Sequence, residues 1–353
     1  MSVEKELARS IEARANELAQ QIVDQHFQQR PQSATHSGDA EKRKCLEDAV
    51  FHLRYLAASL QTQRASLFLD YAEWTQQLLA THGVPVAELA QYMRLAKRTL
   101  LLAFPAQQEL LSEYFDPVLT TLQREPLPVT THLKEGTATD AIAKHFLDLL
   151  LRGNRTDAAN AILGALDDGI PLKDIYIRVL QPVQYEIGRL WHRGELTVAQ
   201  EHYCTAVTQW VMSRLYPDVF AGKASSGPVV ATCVAGDLHE IGLRMVADLL
   251  ELDGWNTMYL GANTPISAIL DVVAQERAQI LALSATMGFH LGPLQQTIEL
   301  IRQDPQFAHV KIMVGGRPFL IEPTLVQSVG ADAMALNAED ALLVAKKLVS
   351  TND

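Results

Sequence analysis

The stretch PVVATCVAGDLHEIG, residues 228–242, decides the fold of the C-terminal part of this chain. Its first eight residues are mostly apolar and rich in β-branched side chains, which is typical of a buried strand. Gly236 and Asp237 follow as turn residues, and the helical pattern GLRMVADLLELDG begins at Gly242. A strand that runs through a short polar loop into a helix is the first half of a parallel β–α–β unit.

The alternation of strand and helix continues beyond this stretch. The β-rich runs WNTMYL, QILALSA, VKIMVGG and ADAMAL alternate with helical patterns such as ISAILDVVAQERA and PLQQTIELIRQ. This pattern predicts a flavodoxin-like or Rossmann-like parallel sheet, wound with helices on both faces, over residues 228–353. Ligands of such sheets bind in the loops beyond the carboxyl ends of the strands. We therefore expect His239, in the first of these loops, to lie at the ligand-binding edge.

The segment before the sheet, residues 138–222, has four helical patterns. Thr139 is the expected cap of the first helix, and Pro171 opens a long third helix. Thr197, with Gln200 three residues later, is a capping-box pattern for the fourth. Amphipathic helices joined by short loops predict an antiparallel four-helix bundle.

Residues 1–125 are predicted to be entirely helical, because no β-rich run interrupts their apolar periodicity. A polar stretch, residues 28–44, separates the first helix from the next. The segment 126–137, which holds proline, glycine and threonine residues, predicts a linker, and AGKASSG (221–227) predicts a second. The sequence thus predicts three domains of mixed α and α/β class: a helical region (1–125), a bundle (138–222) and a sheet domain (228–353).

Composition and charge narrow the classes of function. The chain has 30 Lys and Arg against 41 Asp and Glu, a net charge of −11. Nucleic-acid phosphates are bound by clustered basic residues, so we expect no direct nucleic-acid binding. No stretch resembles a membrane span or a signal peptide, so we expect a cytoplasmic protein without membrane contact. Cys45, Cys204 and Cys233 are too widely spaced for a CxxC metal site and predict no disulfide framework.

Asp237, His239 and Gly242 form the pattern Asp-x-His-x-x-Gly in the first strand-to-helix loop. An imidazole there can bind a metal, and Asp237 can accept the proton of its other ring nitrogen and make it a more basic ligand. Gly242 is expected to let the following helix approach closely. Taken alone, the pattern is more typical of an Asp that caps a helix and of a solvated His.

Two further elements change that balance. Ser284 and Thr286 end the third predicted strand, and Gly315-Gly316 ends the fourth. At this spacing, the three elements together resemble the cobalamin-binding domain. The resemblance implies that His239 displaces the dimethylbenzimidazole of the cofactor and binds cobalt from below, oriented by the Asp two residues earlier. It also implies that these strand-end residues line a cleft for the released nucleotide tail.

The bundle carries a second motif, in which Trp191-His192 and Glu201-His202 are separated by the turn between two helices. Adjacent antiparallel helices can bring both ends to one ligand. Trp191 offers a flat surface to an alkyl or adenosyl group, and Glu201 and His202 offer hydrogen bonds to a ribose or base. The alternative is a core tryptophan with polar neighbours that face solvent.

Together with the downstream motif, the Trp-x9-Glu-His pattern resembles the adenosylcobalamin-dependent light sensors. The resemblance implies a photoreceptor rather than an enzyme, with no catalytic residues. Light would cleave the cobalt–carbon bond, and His192 would become the upper cobalt ligand. The domains would then repack, and a light-dependent homo-oligomer would pass the signal to another protein.

The helical N-terminal region departs from the winged helix-turn-helix domain of the known light-released repressors, and its own net charge is −3. The chain resembles the photocobilins, which combine cobalamin with a bilin, so a globin-like fold and a second chromophore, biliverdin, are expected there. The candidate contacts are His52, Arg54, Tyr55, Tyr71, Trp74, Tyr92 and Arg94. An ordinary dimerisation or signalling bundle is the alternative.

Two other functions compete with light sensing. A corrinoid carrier of a methyltransferase, loaded with methylcobalamin, would share the bundle and the Asp-x-His-x-x-Gly domain. Trp191 and Glu201 favour the sensor, because a methyl carrier must leave the upper face of its cofactor open to partner enzymes. A subunit of an adenosylcobalamin mutase fits less well, since no barrel-type catalytic domain is predicted.

Overall fold

The computed structural model describes residues 2–29, 39–126, 130–222 and 224–350. The chain divides into two units, Met1–Leu127 and Pro128–Asp353. Part of the predicted polar stretch (30–38) and parts of both predicted linkers (127–129 and 223) lie outside the described residues. In the part of the chain that is described, no helix is both long and apolar enough to cross a membrane.

The first unit consists of α-helices, as predicted. They are α1 (Val3–Ala13), α2 (Ala15–Gln28), α3 (Asp39–Thr62), α4 (Ala65–Thr81), α5 (Val86–Ala103) and α6 (Gln108–Thr121). In α3, Leu53, Leu56 and Leu60 are buried at intervals of three or four residues, so one face of the helix enters the core. Phe68 and Phe115 meet edge to face in that core, with ring centroids 5.3 Å apart.

The second unit begins with a group of helices. They are α7 (Ala138–Leu151), α8 (Arg155–Asp167), α9 (Leu172–Asp174), α10 (Gln181–His192), α11 (Val198–Arg214) and α12 (Tyr216–Val219), with a π-helical segment (Ile175–Leu180) joining α9 to α10. The predicted capping box of Thr197 and Gln200 is present at the start of α11. The predicted cap Thr139 is wrong: Thr137 caps α7, because its side chain and that of Asp140 bond each other's backbone N–H groups.

Strands and helices alternate through the rest of the unit. They are β1 (Ser226–Cys233), α13 (Ile241–Leu252), β2 (Trp255–Gly261), α14 (Ile266–Glu276), β3 (Ile280–Ser284), α15 (Leu291–Gln303), β4 (Lys311–Gly315), α16 (Arg317–Ile321), α17 (Leu325–Ser328), β5 (Ala333–Met334) and α18 (Ala338–Ser350). All strand pairs are parallel, in the order β2-β1-β3-β4-β5. The predicted flavodoxin-like sheet is therefore confirmed.

The strand order indicates where on the sheet a ligand is expected to bind. It reverses between β1 and β3, and the crevice at such a switch point is where open α/β sheets bind ligands. At the carboxyl ends, Cys233 pairs with Ser284 and Ser284 pairs with Gly315. The loops that follow β1, β3 and β4 thus emerge side by side.

One buried apolar cluster continues from the helices of the second unit into its sheet. Tyr176, in the π-helical segment, donates a hydrogen bond of 2.9 Å to Asp248 of α13. Burial raises the pKa of Asp248 to about 6. The bundle and the sheet, predicted as separate domains, are thereby tied together by a buried polar contact as well as by apolar packing.

Candidate cofactor site

The loop after β1 holds Asp237 and His239 in hydrogen-bond contact. Oδ1 of Asp237 lies 3.0 Å from Nδ1 of His239 and also accepts the backbone N–H of His239 at 3.0 Å. The carboxylate is fully buried, whereas the His239 side chain is 54% exposed. A neutral imidazole that donates through Nδ1 keeps the lone pair of Nε2 for a ligand outside the protein.

Further hydrogen bonds hold the same carboxylate ionised. Oδ2 of Asp237 accepts the backbone N–H of Thr286, from the loop after β3, at 2.7 Å. Burial alone would raise the pKa of Asp237, but the hydrogen bonds from His239 and His290 outweigh it and hold that pKa well below its usual range. The loop that carries His239 is therefore anchored on a buried negative charge.

The strand-end residues lie together at the same edge. Ala285 N–H donates to the carbonyl of Gly315 at 3.1 Å, which brings the ends of β3 and β4 into contact. Gly316 has φ +111°, and a Cβ there would lie 2.0 Å from the carbonyl oxygen of Ala285, so the protein itself requires glycine. A Cβ at Gly315 would make only an ordinary contact, 3.6 Å from Ala335 O.

The expectation that Gly242 is needed for close approach of the following helix is wrong. A Cβ at this position would have no atom within 4 Å, so no element packs closely enough against it to require glycine. Gly242 lies exposed in the first turn of α13, beside the His239 loop. The structure therefore leaves open space where close packing of this helix was expected.

The second motif lies at the turn between α10 and α11. Trp191 and His192 end α10, with their ring centroids 6.5 Å apart, and His192 is buried. Glu201, in the first turn of α11, accepts a hydrogen bond from Thr205 at 2.9 Å and pairs with Nδ1 of His202 at 2.5 Å. The His202 side chain is 74% exposed, so this pair lies where a ligand can reach it.

Two residues that the sequence analysis did not single out, Gln209 of α11 and Tyr259 of β2, bond the carboxylate of Glu240 in the His239 loop. Gln209 donates to Oε1 of Glu240, the residue after His239, at 2.9 Å. Tyr259 of β2 donates to the other oxygen of Glu240 at 3.1 Å. Neither residue belongs to a motif: the Gln209 contact depends on the packing of α11 on the sheet, and the Tyr259 contact depends on β2 lying beside β1.

His290 is a third residue that sequence reasoning missed. It lies in the 3-10 turn Gly288–His290, is buried, and has Nδ1 3.3 Å from Oδ2 of Asp237. Since 53 positions separate it from Asp237, the contact depends on β1 and β3 being neighbours in the sheet. A histidine six residues after a strand end is only a weak signal of such a role.

The candidate bilin contacts divide between core and surface. His52, Tyr71 and Tyr92 are buried, and a hydrogen bond of 2.8 Å joins the Tyr71 hydroxyl to Nδ1 of His52. Tyr55 and Trp74 are half-buried, and Tyr55 stacks on Tyr71 with ring centroids 3.7 Å apart. The remaining two, Arg54 and Arg94, are exposed.

Known protein families match both units. The B12 binding domain family matches residues 227–346, and a second family of B12 binding domains matches residues 142–216. The phycobilisome protein family matches residues 3–122. The two B12 matches contain both predicted cofactor motifs, whereas the phycobilisome match contains the N-terminal helices.

Among curated relatives, dimethylamine corrinoid protein 1 of Methanosarcina acetivorans is 32% identical over 170 residues, which are 47% of this chain and 78% of that protein. Dimethylamine corrinoid protein 3 of Methanosarcina mazei is 31% identical over 47% of this chain and 99% of its own length. The solved monomethylamine corrinoid protein of Methanosarcina barkeri has a similar fold, with a TM-score of 0.54 and 24% identity over 60% of this chain and all of that one. The chain belongs to the B12-binding corrinoid proteins, and its second unit is a cobalamin-binding unit.

Proposed function

We propose that this chain binds cobalamin with the cofactor's own base displaced and with His239 as the lower ligand of cobalt. The buried carboxylate of Asp237 is the observation that supports this most strongly, because it accepts a hydrogen bond from Nδ1–H of His239 and leaves the lone pair of Nε2 free to bind metal. A corrin ring supplies four nitrogen ligands itself, so one imidazole completes its lower side. Ser284, Thr286 and the Gly315-Gly316 pair lie at the edge where the nucleotide tail would enter.

Two uses of the cofactor are in competition, since bound cobalamin supplies a cobalt–carbon bond that either a nucleophile or light can break. The curated relatives favour a methyl carrier that works with methyltransferase partners, because they are methylamine corrinoid proteins matched over most of their own length. In that function, the exposed His202 and the half-buried Glu201 face a partner enzyme rather than a fixed ligand. The methyl form of the cofactor would then be the resident one.

The N-terminal unit favours a second candidate, a light sensor that holds adenosylcobalamin beneath Trp191 and Glu201-His202. Its support is the phycobilisome family match over residues 3–122, since that family is named for assemblies that carry bilins. Biliverdin is the proposed second chromophore. The cavity beside His52 and Tyr92 has a volume of only about 10 Å³, too small for a bilin, whereas Tyr55 and Trp74 are half-buried and nearer the surface.

Illumination of the reconstituted full chain separates the two uses. The protein is loaded in the dark with adenosylcobalamin or methylcobalamin, and absorbance and molar mass are recorded before and after visible light. The sensor is expected to prefer the adenosyl form and to change its oligomeric state in light. Equal binding of both forms and a mass that light does not change would favour the carrier.

Two matched variants sharpen the result. His192→Ala is expected to leave dark binding intact and, in a sensor only, to change the spectrum of the illuminated product. His239→Ala is then mixed with biliverdin. If the N-terminal unit binds the bilin, this variant is expected to show a red-shifted, protein-bound absorbance although its proposed cobalt ligand is missing. The absence of such absorbance in the unsubstituted chain would rule out the second chromophore.

A further inference from the structure

The hydroxyl of Tyr71 meets a nitrogen base inside the first unit. Tyr71 is 5% exposed, and its phenol oxygen lies 2.8 Å from Nδ1 of His52. The two residues lie on consecutive helices, α4 and α3, and His52 is buried as well. The pair belongs to a different unit from the candidate cofactor site, so its chemistry can be considered without His239.

Both members of this pair are neutral. Burial raises the pKa of Tyr71 above its usual range and lowers the pKa of His52 to about 4. Between a neutral phenol and a neutral imidazole, the phenol is the stronger acid and the unprotonated ring nitrogen is the stronger base. We therefore expect Tyr71 to donate its O–H and Nδ1 of His52 to accept it.

Two other buried tyrosines of the same unit have no such base. Tyr114 is also 5% exposed, but its hydroxyl donates to the backbone carbonyl of Ser59 at 3.4 Å. The hydroxyl of Tyr92 has no hydrogen-bond partner among the described residues. A backbone carbonyl accepts a hydrogen bond but does not take up the proton. Of these three tyrosines, Tyr71 alone can therefore pass its proton to a neighbour.

Aromatic rings lead from Tyr71 towards the half-buried part of the unit. Tyr55 stacks on Tyr71 with ring centroids 3.7 Å apart and planes at 11°. Trp74 lies nearly parallel to Tyr71, with centroids 6.4 Å apart. Both outer residues are half-buried, whereas Tyr71 is buried. Because electron transfer falls off steeply with distance, these close rings give an electron of Tyr71 an exit that its proton does not share.

We propose that Tyr71 is a one-electron redox site with His52 as its proton acceptor. On oxidation, the O–H bond of Tyr71 breaks, the proton moves to Nδ1 of His52, and the electron passes through the stacked rings to the oxidant. The products are a neutral tyrosyl radical, an imidazolium and the oxidant reduced by one electron. The oxidant is a photo-excited dye or metal complex that reaches the half-buried rings. A bilin at this unit would belong to that class, and this identification alone rests on the proposed function.

The radical is tested in the full chain without cobalamin or bilin. Illuminated ruthenium tris(bipyridine), with persulfate as the final electron acceptor, supplies the oxidant, and EPR of frozen samples records the radical. ENDOR in H₂O and D₂O should show a tyrosyl radical with a hydrogen-bonded, exchangeable proton at its oxygen. This component should be lost in Tyr71→Phe and kept in the matched control Tyr114→Phe. Its absence from the unsubstituted chain, or its persistence in Tyr71→Phe, would overturn the proposal.

The part of His52 is tested by the rate of oxidation after a laser flash. His52→Gln keeps a hydrogen-bonding side chain but cannot take up the proton, so the Tyr71 radical should form about a hundredfold more slowly. An unchanged rate would overturn the role of His52. If this variant does not fold, the unsubstituted chain still decides, because oxidation should be slower in D₂O and equal rates in both solvents would contradict a proton transfer. Since these measurements contain neither cobalamin nor bilin, their failure is distinct from a failure of the proposed function.

Discussion

The helical unit and the sheet edge each contain a histidine that uses Nδ1 to meet a buried side chain, and the two surroundings are opposite. His52 meets the neutral Tyr71 hydroxyl and is itself buried, so desolvation lowers its pKa to about 4. His239 meets the ionised carboxylate of Asp237, and its own side chain stays half exposed. The same residue type is thus part of a closed core in one unit and an exposed side chain, anchored on one ring nitrogen, in the other. Partner charge and exposure make the difference.

The largest expected effect tests the open histidine. His239→Ala should abolish the spectrum of His-ligated cobalamin, because among the described residues no other exposed imidazole is bonded to Asp237. The measurement is absorbance and Co(II) EPR of the loaded full chain. Some loss of stability is expected as well, because the variant removes a hydrogen bond from the buried Asp237 carboxylate. A His-ligated spectrum that persists would refute the contrast with His52.

The next effect concerns the rigidity of the open site and uses two adjacent glycines. Gly316→Ala should lower the free energy of unfolding by on the order of 3 kcal/mol, because it places a side chain at positive φ against the Ala285 carbonyl. Gly315→Ala is the matched control and should change stability far less. The check is chemical denaturation of both variants in the apo chain. Equal losses would mean that the strand ends are less tightly built than described.

The closed histidine predicts a dependence on pH. His52 has a folded-state pKa of about 4, below the ordinary value of 6.5, so the unfolded chain binds its proton first. Its contribution to stability is therefore present above pH 6.5 and is lost as pH falls towards 4, by up to roughly 3 kcal/mol. Hydrogen exchange of α3 and α4 amides, corrected for intrinsic rates, should follow this change. His52→Gln should flatten it, and an unchanged slope would show that other groups cause the loss.

Features written in local sequence could be predicted well. The alternation of strand and helix patterns predicted the parallel sheet and the succession of its elements along the chain, and the Thr197 capping box lies where its spacing placed it. The cap at Thr139 was wrong by two residues, although Thr137 and Asp140 have the spacing of a capping box. Sequence rules for N-caps do not distinguish well between two nearby threonines when either of them could cap the helix.

Contacts between distant segments were the part that could not be predicted. Asp237 and His239 are two residues apart, so their bond follows from one loop. His290 and Gln209 reach that loop only because of the order of the strands and the packing of α11, which no periodicity encodes. The reason for Gly242 failed in the same way, since whether a helix approaches it depends on tertiary packing.

The hydrogen bond between Gln209 and Glu240 makes α11 a direct structural connection between two regions of the second unit. Glu201 and Gln209 are eight residues apart on one helix, about 12 Å along a rod that is stiff over so few turns. One end of the rod carries the Glu201-His202 pair, and the other bonds the neighbour of His239. A displacement of the Glu201-His202 end of α11 would therefore reach Glu240, and with it the His239 loop, through a single helix and one hydrogen bond.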